Sequence, residues 1–187
     1  MVFVGAPIEK YDADDKNCKK DEILLLNKSY VKGLLSRKLM AFFHLSRQEQ
    51  GLLFKAFCLS GVVRLVVLVL PFRWLSFFLG THMRESPWEE NDTALESAAR
   101  VGHAVETASQ YTPWESKCLV QAIVGKIMLR RLGIASTLYL GVGRDERKDL
   151  VAHAWLRCGE IVLTGGQGRD RFTVVSNFAD LPGEQIN

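Results

Sequence analysis

The segment CLVQAIVGKIMLRR, Cys118 to Arg131, constrains this chain more than any other stretch. Leu119, Val120, Ile123, Val124, Ile127 and Met128 make it apolar nearly all round, with Lys126, Arg130 and Arg131 toward its end. A helix that is apolar on all sides belongs at the centre of its domain. The cations suit the negative pole of its dipole, and Gly133 supplies the residue that stops a helix in a left-handed turn. The rest of the chain must therefore supply layers to cover this helix.

Upstream, GLLFKAFCLSGVVRLVVLVLPFRWLSFFLG (Gly51 to Gly80) is the most hydrophobic stretch, interrupted by Arg64, Pro71 and Arg73. It lacks the run of about eighteen uncharged residues that a membrane-spanning helix needs. The expectation is a helix pair, broken at Pro71 and packed on the domain. A face lying on a membrane surface or on a partner is the alternative, with Arg64 and Arg73 at headgroup level. NDTALESAARVGHAVETASQ has Leu95, Ala98, Val101 and Val105 at helical spacing, and Thr93 with Glu96 forms a capping box. That helix is expected to end near Tyr111.

After Gly133 the period changes. STLYLGV, LVAHAWLRC, EIVLT and FTVV are short β-branched and aromatic runs separated by GRDERKD, CGE and GGQGRD, the pattern of strands and turns. Helices first and strands afterwards indicate an α+β fold. At 187 residues the chain suits one domain with an appended arm. The divisions expected are a loosely ordered arm over 1–45, dense in charge at KYDADDKNCKKDE, a helical region over 46–111, and a core over 112–187.

A formal charge of +3, from 24 Lys and Arg against 21 Asp and Glu, is too small and scattered for a nucleic-acid partner. The charges read mostly as a solvated surface. Cys18, Cys58, Cys118 and Cys158 lack the close pairs of metal knuckles or small disulfide scaffolds. A reducing, cytoplasmic compartment is expected, with no cofactor and no metal. The opening residues carry no basic n-region, so no signal peptide is expected.

Two residues stand out chemically. In LVAHAWLRC, alternation puts Ala152, Ala154 and Leu156 on one face and Val151, His153, Trp155 and Arg157 on the other. The small residues are expected to pack inward, against the central helix. A strand histidine is more often structural than catalytic, and an isolated cysteine at a helix start is more often core than reactive. Position argues for Cys118, because a thiol in the first turn of a helix feels unpaired backbone amides that favour thiolate. Thr112-Pro113-Trp114-Glu115 competes for the start of that helix; the expectation is Ser116 as cap, with Cys118 at the second helical position. Cys158, five residues from His153, falls on the opposite face, against a zinc site of Cys118, His153 and Cys158. His44, His82 and His103 have no partner signature, and Gly165, Gly166 and Gly168 lack the context of a phosphate loop.

Taken in order, CLVQAIVGKIMLRRLGI, the strand STLYLGV with Gly141-Val142, and Ala152-His153-Ala154-Trp155 resemble the transglutaminase-like cysteine peptidases of lasso-peptide biosynthesis, the B and B2 leader peptidases. The resemblance extends more weakly back to about Ser46. It implies a papain-like core in which a central helix packs on a small antiparallel sheet. It further implies that Cys118 attacks a peptide carbonyl, that His153 acts as base and then acid, and that an aspartate orients the histidine. The position matching that aspartate reads Leu163-Thr164-Gly165-Gly166, without an acid. Asp170 is the expected substitute; the Thr164 hydroxyl and a loop carbonyl are the alternatives. The implied substrate is a precursor peptide of leader and core. The implied partners are a discrete leader-recognition protein, for which Gly51 to Gly80 is a candidate docking surface, and a macrolactam synthetase that uses the freed amine. Acyl transfer by a transglutaminase or amidase, and an inactive binding subunit of the same fold, are the competing functions.

Overall fold

The computed structural model of the protein describes residues 45–114 and 117–181. The chain divides into two units, Met1–Ser46 and Arg47–Asn187, and every element below belongs to the second. The arm expected over 1–45, His44 and the Ser116 cap lie, but for Leu45, outside the described residues.

In chain order the elements are α1 (Arg47–Val69), α2 (Phe72–Ser76), β1 (Thr81–His82), α3 (Asp92–Ser109), α4 (Cys118–Arg131), β2 (Ser136–Arg144), β3 (Leu150–Cys158), β4 (Ile161–Thr164), a 3-10 turn (Arg169–Arg171) and β5 (Thr173–Asp180). The strands form one antiparallel sheet in the order β1-β5-β2-β3-β4. The α+β class expected from the change of period is the class found. The helix pair expected over Gly51 to Gly80 is also present, with Pro71 as the N-cap of α2, because proline cannot continue α1 but fits a helix start.

The expected burial of α4 holds along most of its length: Val120, Ala122, Val124 and Leu129 are fully buried. Its C-terminus has the hydrogen bonds of a glycine stop, Gly133 N–H to Arg130 O at 3.1 Å and Ile134 N–H to Leu129 O at 3.1 Å, with Gly133 at φ 71°. On one side α4 packs against the sheet face formed by Leu138, Ala154, Leu156, Cys158 and Phe178; on the other it meets α1 and α3. Gly125 marks the closest approach, where an added Cβ would lie 2.7 Å from Leu156 Cδ2. Residues from both 46–111 and 112–187 build this one core.

The helix starts differ from expectation in an instructive way. The cap of α3 is Asn91, whose Oδ1 accepts from Ala94 N at 2.7 Å, while the Thr93 hydroxyl donates to that same oxygen at 2.7 Å. Asparagine is among the strongest N-caps, so the helix begins before the Thr93 box; it ends at Ser109, with turn bonds running on to Tyr111 N–H, near the expected end. The cap of α4 is Lys117, which makes no side-chain cap hydrogen bond, since an ammonium has no acceptor to offer.

Two cations expected on a solvated surface or at a helix end are buried. Lys126, 1 % exposed, donates to Ser136 O at 3.1 Å and Phe178 O at 3.0 Å and meets Asp180 at 3.2 Å. Asp180 also takes two bonds from Arg130, at 3.1 and 2.7 Å. Arg157, 3 % exposed, lies on the opposite sheet face. It donates to Tyr139 Oη at 3.0 Å, Gly159 O at 2.7 Å and Ser86 O at 2.9 Å, with its guanidinium 3.9 Å over the Trp88 ring. It thereby ties the loop after β1 to the outer face of the sheet.

Burial pushes the Lys126 ammonium down to about 8 from its usual 10.5, against the opposing pull of Asp180. Below about pH 8 the lysine is protonated in both folded and unfolded chains and adds no pH slope. Between about 8 and 10.5 the unfolded chain holds a proton that the folded chain has released, so this group makes stability rise with pH, by about 3 kcal/mol over the window. The rise is read as the difference between wild type and Lys126→Met in urea denaturation at pH 8 and pH 10, because the Cys158 thiol, held up to about 11 by its burial, opposes it equally in both proteins.

Candidate functional site

Cys118 is the first residue of α4 and is partly buried, packed against the core beneath it. Three backbone N–H groups at this end, those of Cys118, Leu119 and Val120, precede the first bond of the helix, Gln121 N–H to Lys117 O at 3.2 Å. They carry the partial positive charge of a helix N-terminus and have no intrahelical acceptor. An oxyanion formed beside the Cys118 sulfur would meet these donors.

His153 lies in the first half of β3, where the strand emerges from the core: Leu150 is 75 % exposed, whereas Ala154 onward is buried. Its imidazole stacks on Phe172, with centroids 4.8 Å apart, and on Trp155 at 5.9 Å. Trp155 in turn stacks on Tyr139 at 5.5 Å. Gly141, paired with His153 across the strands, leaves room for this stack, because a Cβ there would lie 2.8 Å from the Trp155 ring.

One nitrogen of the imidazole is committed. His153 Nε2 is 2.8 Å from Gly165 O, and a carbonyl oxygen can only accept, so Nε2 carries the hydrogen. In the neutral ring Nδ1 then holds the lone pair. The hydrogen-bond partner of this ring nitrogen is therefore a backbone carbonyl. The Asp170 side chain is 94 % exposed and lies 3.6 Å from Arg169, and the Thr164 hydroxyl is buried without a hydrogen-bond partner. Gly165 reaches the strand because it has φ 69° and no side chain; a Cβ there would collide with the Ala154 carbonyl oxygen. The turn after β3 is Gly159-Glu160, since Cys158 pairs with Ile161, and a register shift follows between Leu156 and Arg157.

Cys118 and His153 occupy the same end of the domain. Gly125 touches Leu156, and Lys126 and Arg130 reach the opposite end of the sheet at Ser136 and Asp180, which fixes the direction of α4 along β3. Going back from Gly125 to Cys118 covers about 10 Å of helix. From Leu156 back to His153 is about 10 Å of strand. The alternation of β3 nevertheless aims the imidazole at the face turned away from α4, as the sequence pattern indicated, and among the described residues no hydrogen bond joins it to the Cys118 thiol.

The other cysteines differ in kind. Cys158 is wholly buried on the α4 side of the sheet, where burial and the Glu90 charge push its thiol up to about 11. Cys58 is exposed on α1. His82, which carries no partner signature in the sequence, is exposed with Nε2 2.9 Å from the Ser176 hydroxyl. Sequence reasoning missed Phe172 as the floor of the imidazole and Gly165 as its anchor; a glycine directly after a strand residue was the only available signal.

Residues 63–177, more than half of the chain, match the family described as the transglutaminase-like superfamily. No curated protein and no solved structure matches the chain.

Two outcomes follow from this geometry. Brief alkylation of the native protein at neutral pH, read by peptide mass spectrometry, should leave Cys158 unmodified until the chain is unfolded. Gly165→Ala should destabilise the fold by about 1–3 kcal/mol through its positive φ alone, a loss readable by thermal denaturation, whereas Gly166→Ala, where a Cβ would meet only Val162 at 3.3 Å, should cost far less.

Proposed function

The chain belongs to the transglutaminase-like superfamily, and on that premise we propose that it is a cysteine peptidase that removes the leader from a ribosomally made lasso-peptide precursor. The observation that carries this reading is the fixed tautomer of His153, whose Nε2–H is held by Gly165 O at 2.8 Å while Nδ1 keeps its lone pair. The order of Cys118, Gly141-Val142 and Ala152-His153-Ala154-Trp155 supports the narrower substrate.

In the proposed reaction, Nδ1 of His153 takes the proton of the Cys118 thiol as Sγ bonds to the scissile carbonyl carbon. The carbonyl oxygen becomes an oxyanion, held by the N–H groups at the head of α4. Collapse of that intermediate breaks the carbon–nitrogen bond, and the imidazolium gives its proton to the leaving amine, which is the new N-terminus of the core peptide. Water then attacks the thioester with Nδ1 as base, releasing the leader as a carboxylate. Contact between Sγ and Nδ1 is required in the first step; the imidazole faces away from α4 here, so the proposed reaction requires the head of α4 and the open end of β3 to bring the two together on substrate binding. The Gly165 carbonyl takes the place of the family's orienting acid; it is neutral, so it steers the ring and stabilises the imidazolium less than a carboxylate would. A leader-recognition protein and a macrolactam synthetase are the proposed partners.

The test is incubation of a precursor peptide with the protein, with and without the recognition protein, followed by mass spectrometry. Cleavage should leave a free carboxylate on the leader; an amide adduct there would mean acyl transfer instead. Cys118→Ala and His153→Ala should each lower turnover by at least about 10²-fold with circular dichroism unchanged. Asp170→Ala should stay within about twofold of wild type, because its carboxylate faces solvent. Full activity of Cys118→Ala would end the peptidase reading.

A further inference from the structure

The outward side of α1 and α2 is as apolar as the side they bury. On α1, Ala56, Ser60 and Val63 face the core, whereas Val62, Leu65 and Leu68 are 58, 63 and 66 % exposed. These exposed residues follow helical spacing, so they form one stripe. The stripe continues past Pro71 into Trp74, Phe77 and Phe78, at 58, 69 and 66 % exposed. Scattered exposed apolar residues need no explanation, but a contiguous set of this size marks an interaction surface.

Charge indicates what that surface meets. From Gln50 to Arg84 the chain holds Lys55, Arg64, Arg73 and Arg84 and not one Asp or Glu. Lys117 to Arg144 is likewise without an acid, but there Lys126 is buried and Arg130 is paired with Asp180. Lys55 and Arg73 are exposed on the same two helices, and long cationic side chains beside an apolar stripe can bury their stems while the head stays at a polar boundary. Trp74 adds the residue type favoured at that boundary. An apolar stripe whose own segment, Gln50 to Arg84, carries cations and no acid is complementary to an anionic lipid surface.

Contrary to the expectation drawn from its interrupted apolar run, α1 is by length and composition alone long and apolar enough to cross a bilayer. Its packing opposes that arrangement, because Ala56 and Val63 belong to the same core as α3 and α4. A spanning α1 would have to leave that core or drag it into hydrocarbon.

We propose that the α1–α2 face docks the protein onto the surface of an anionic membrane, with α1 in the plane of the interface and its outward stripe in the headgroup–acyl boundary. The Phe78 end of this surface meets Arg130, at the end of α4 remote from Cys118, and vesicle binding is read without any cleavage, so failure of this docking and failure of the peptidase reading are distinguishable.

The full chain should float with phosphatidylcholine vesicles that contain phosphatidylglycerol and bind vesicles of phosphatidylcholine alone at least about tenfold less, since each surface cation contributes about a factor of five. Arg73→Glu should lower partitioning to the anionic vesicles by about tenfold or more, and the pair Phe77→Ser with Phe78→Ser should do likewise with circular dichroism unchanged. Brominated lipid should quench tryptophan emission in the wild type and quench it markedly less in Trp74→Phe. Four results would overturn the proposal: no flotation by a folded chain, equal binding to both vesicle types, quenching independent of Trp74, or sequestration of Phe77 and Phe78 in a dimer or in a complex with the leader-recognition protein that forms instead of vesicle binding.

Discussion

The contact of α4 with the inner face of the sheet is the interaction on which the other features depend. Gly125 lets the helix come down on Leu156, and Val124, Leu129, Leu138 and Leu156 are completely withdrawn from water. Each such side chain contributes about 1.5–3 kcal/mol through its burial. Because that contact fixes the helix axis, it also fixes where the helix begins, and so where a sulfur meets unpaired amides. The polar seam of Lys126, Arg130 and Asp180 closes the far end of the same contact. A buried charge pair adds little net stability but penalises other registers, and here it holds α4 against Ser136 and Phe178 rather than a neighbouring pair of carbonyls.

The outer face of the sheet has a different organisation. Tyr139, Trp155, His153 and Phe172 stack along it, and Arg157 binds the Ser86–Trp88 loop at its end. The stack restrains the plane of the imidazole, and the Gly165 carbonyl restrains its rotation within that plane. Two weak restraints of this kind position a histidine without an acid beside it. In the proposed reaction this would retain the conformational precision of a base without the electrostatic help of a carboxylate.

Much of this was legible in the residues. The all-round apolarity of 118–131 told that α4 would be central, and the alternation in LVAHAWLRC told that Ala154 and Leu156 would face it, although Ala152, expected on the same inward face, is exposed where the strand emerges. Pro71 and Gly133 marked their breaks because the covalent chemistry of proline and glycine acts locally. What escaped was decided by tertiary contact. Whether Lys126 and Arg157 lie in water or in the core depends on partners more than fifty residues away, Phe178 and Ser86. The partner of His153 escaped for another reason: it is a carbonyl, present in every residue, so composition favours Asp170 while geometry favours Gly165. The cap of α3 fell to Asn91, whose Oδ1 accepts from Ala94 N–H and from the Thr93 hydroxyl itself, so the threonine supports an earlier start instead of making its own.

The account rests on the imidazole of His153 serving the thiol of Cys118 from across the edge of the sheet. The direct measurement is the second-order rate of alkylation of Cys118 by iodoacetamide at neutral pH, followed at that residue by mass spectrometry, in the wild type and in His153→Gln with precursor peptide present. The account predicts a rate at least about tenfold slower in the variant, because the group that takes the thiol proton is gone. Equal rates in two equally folded proteins would contradict it.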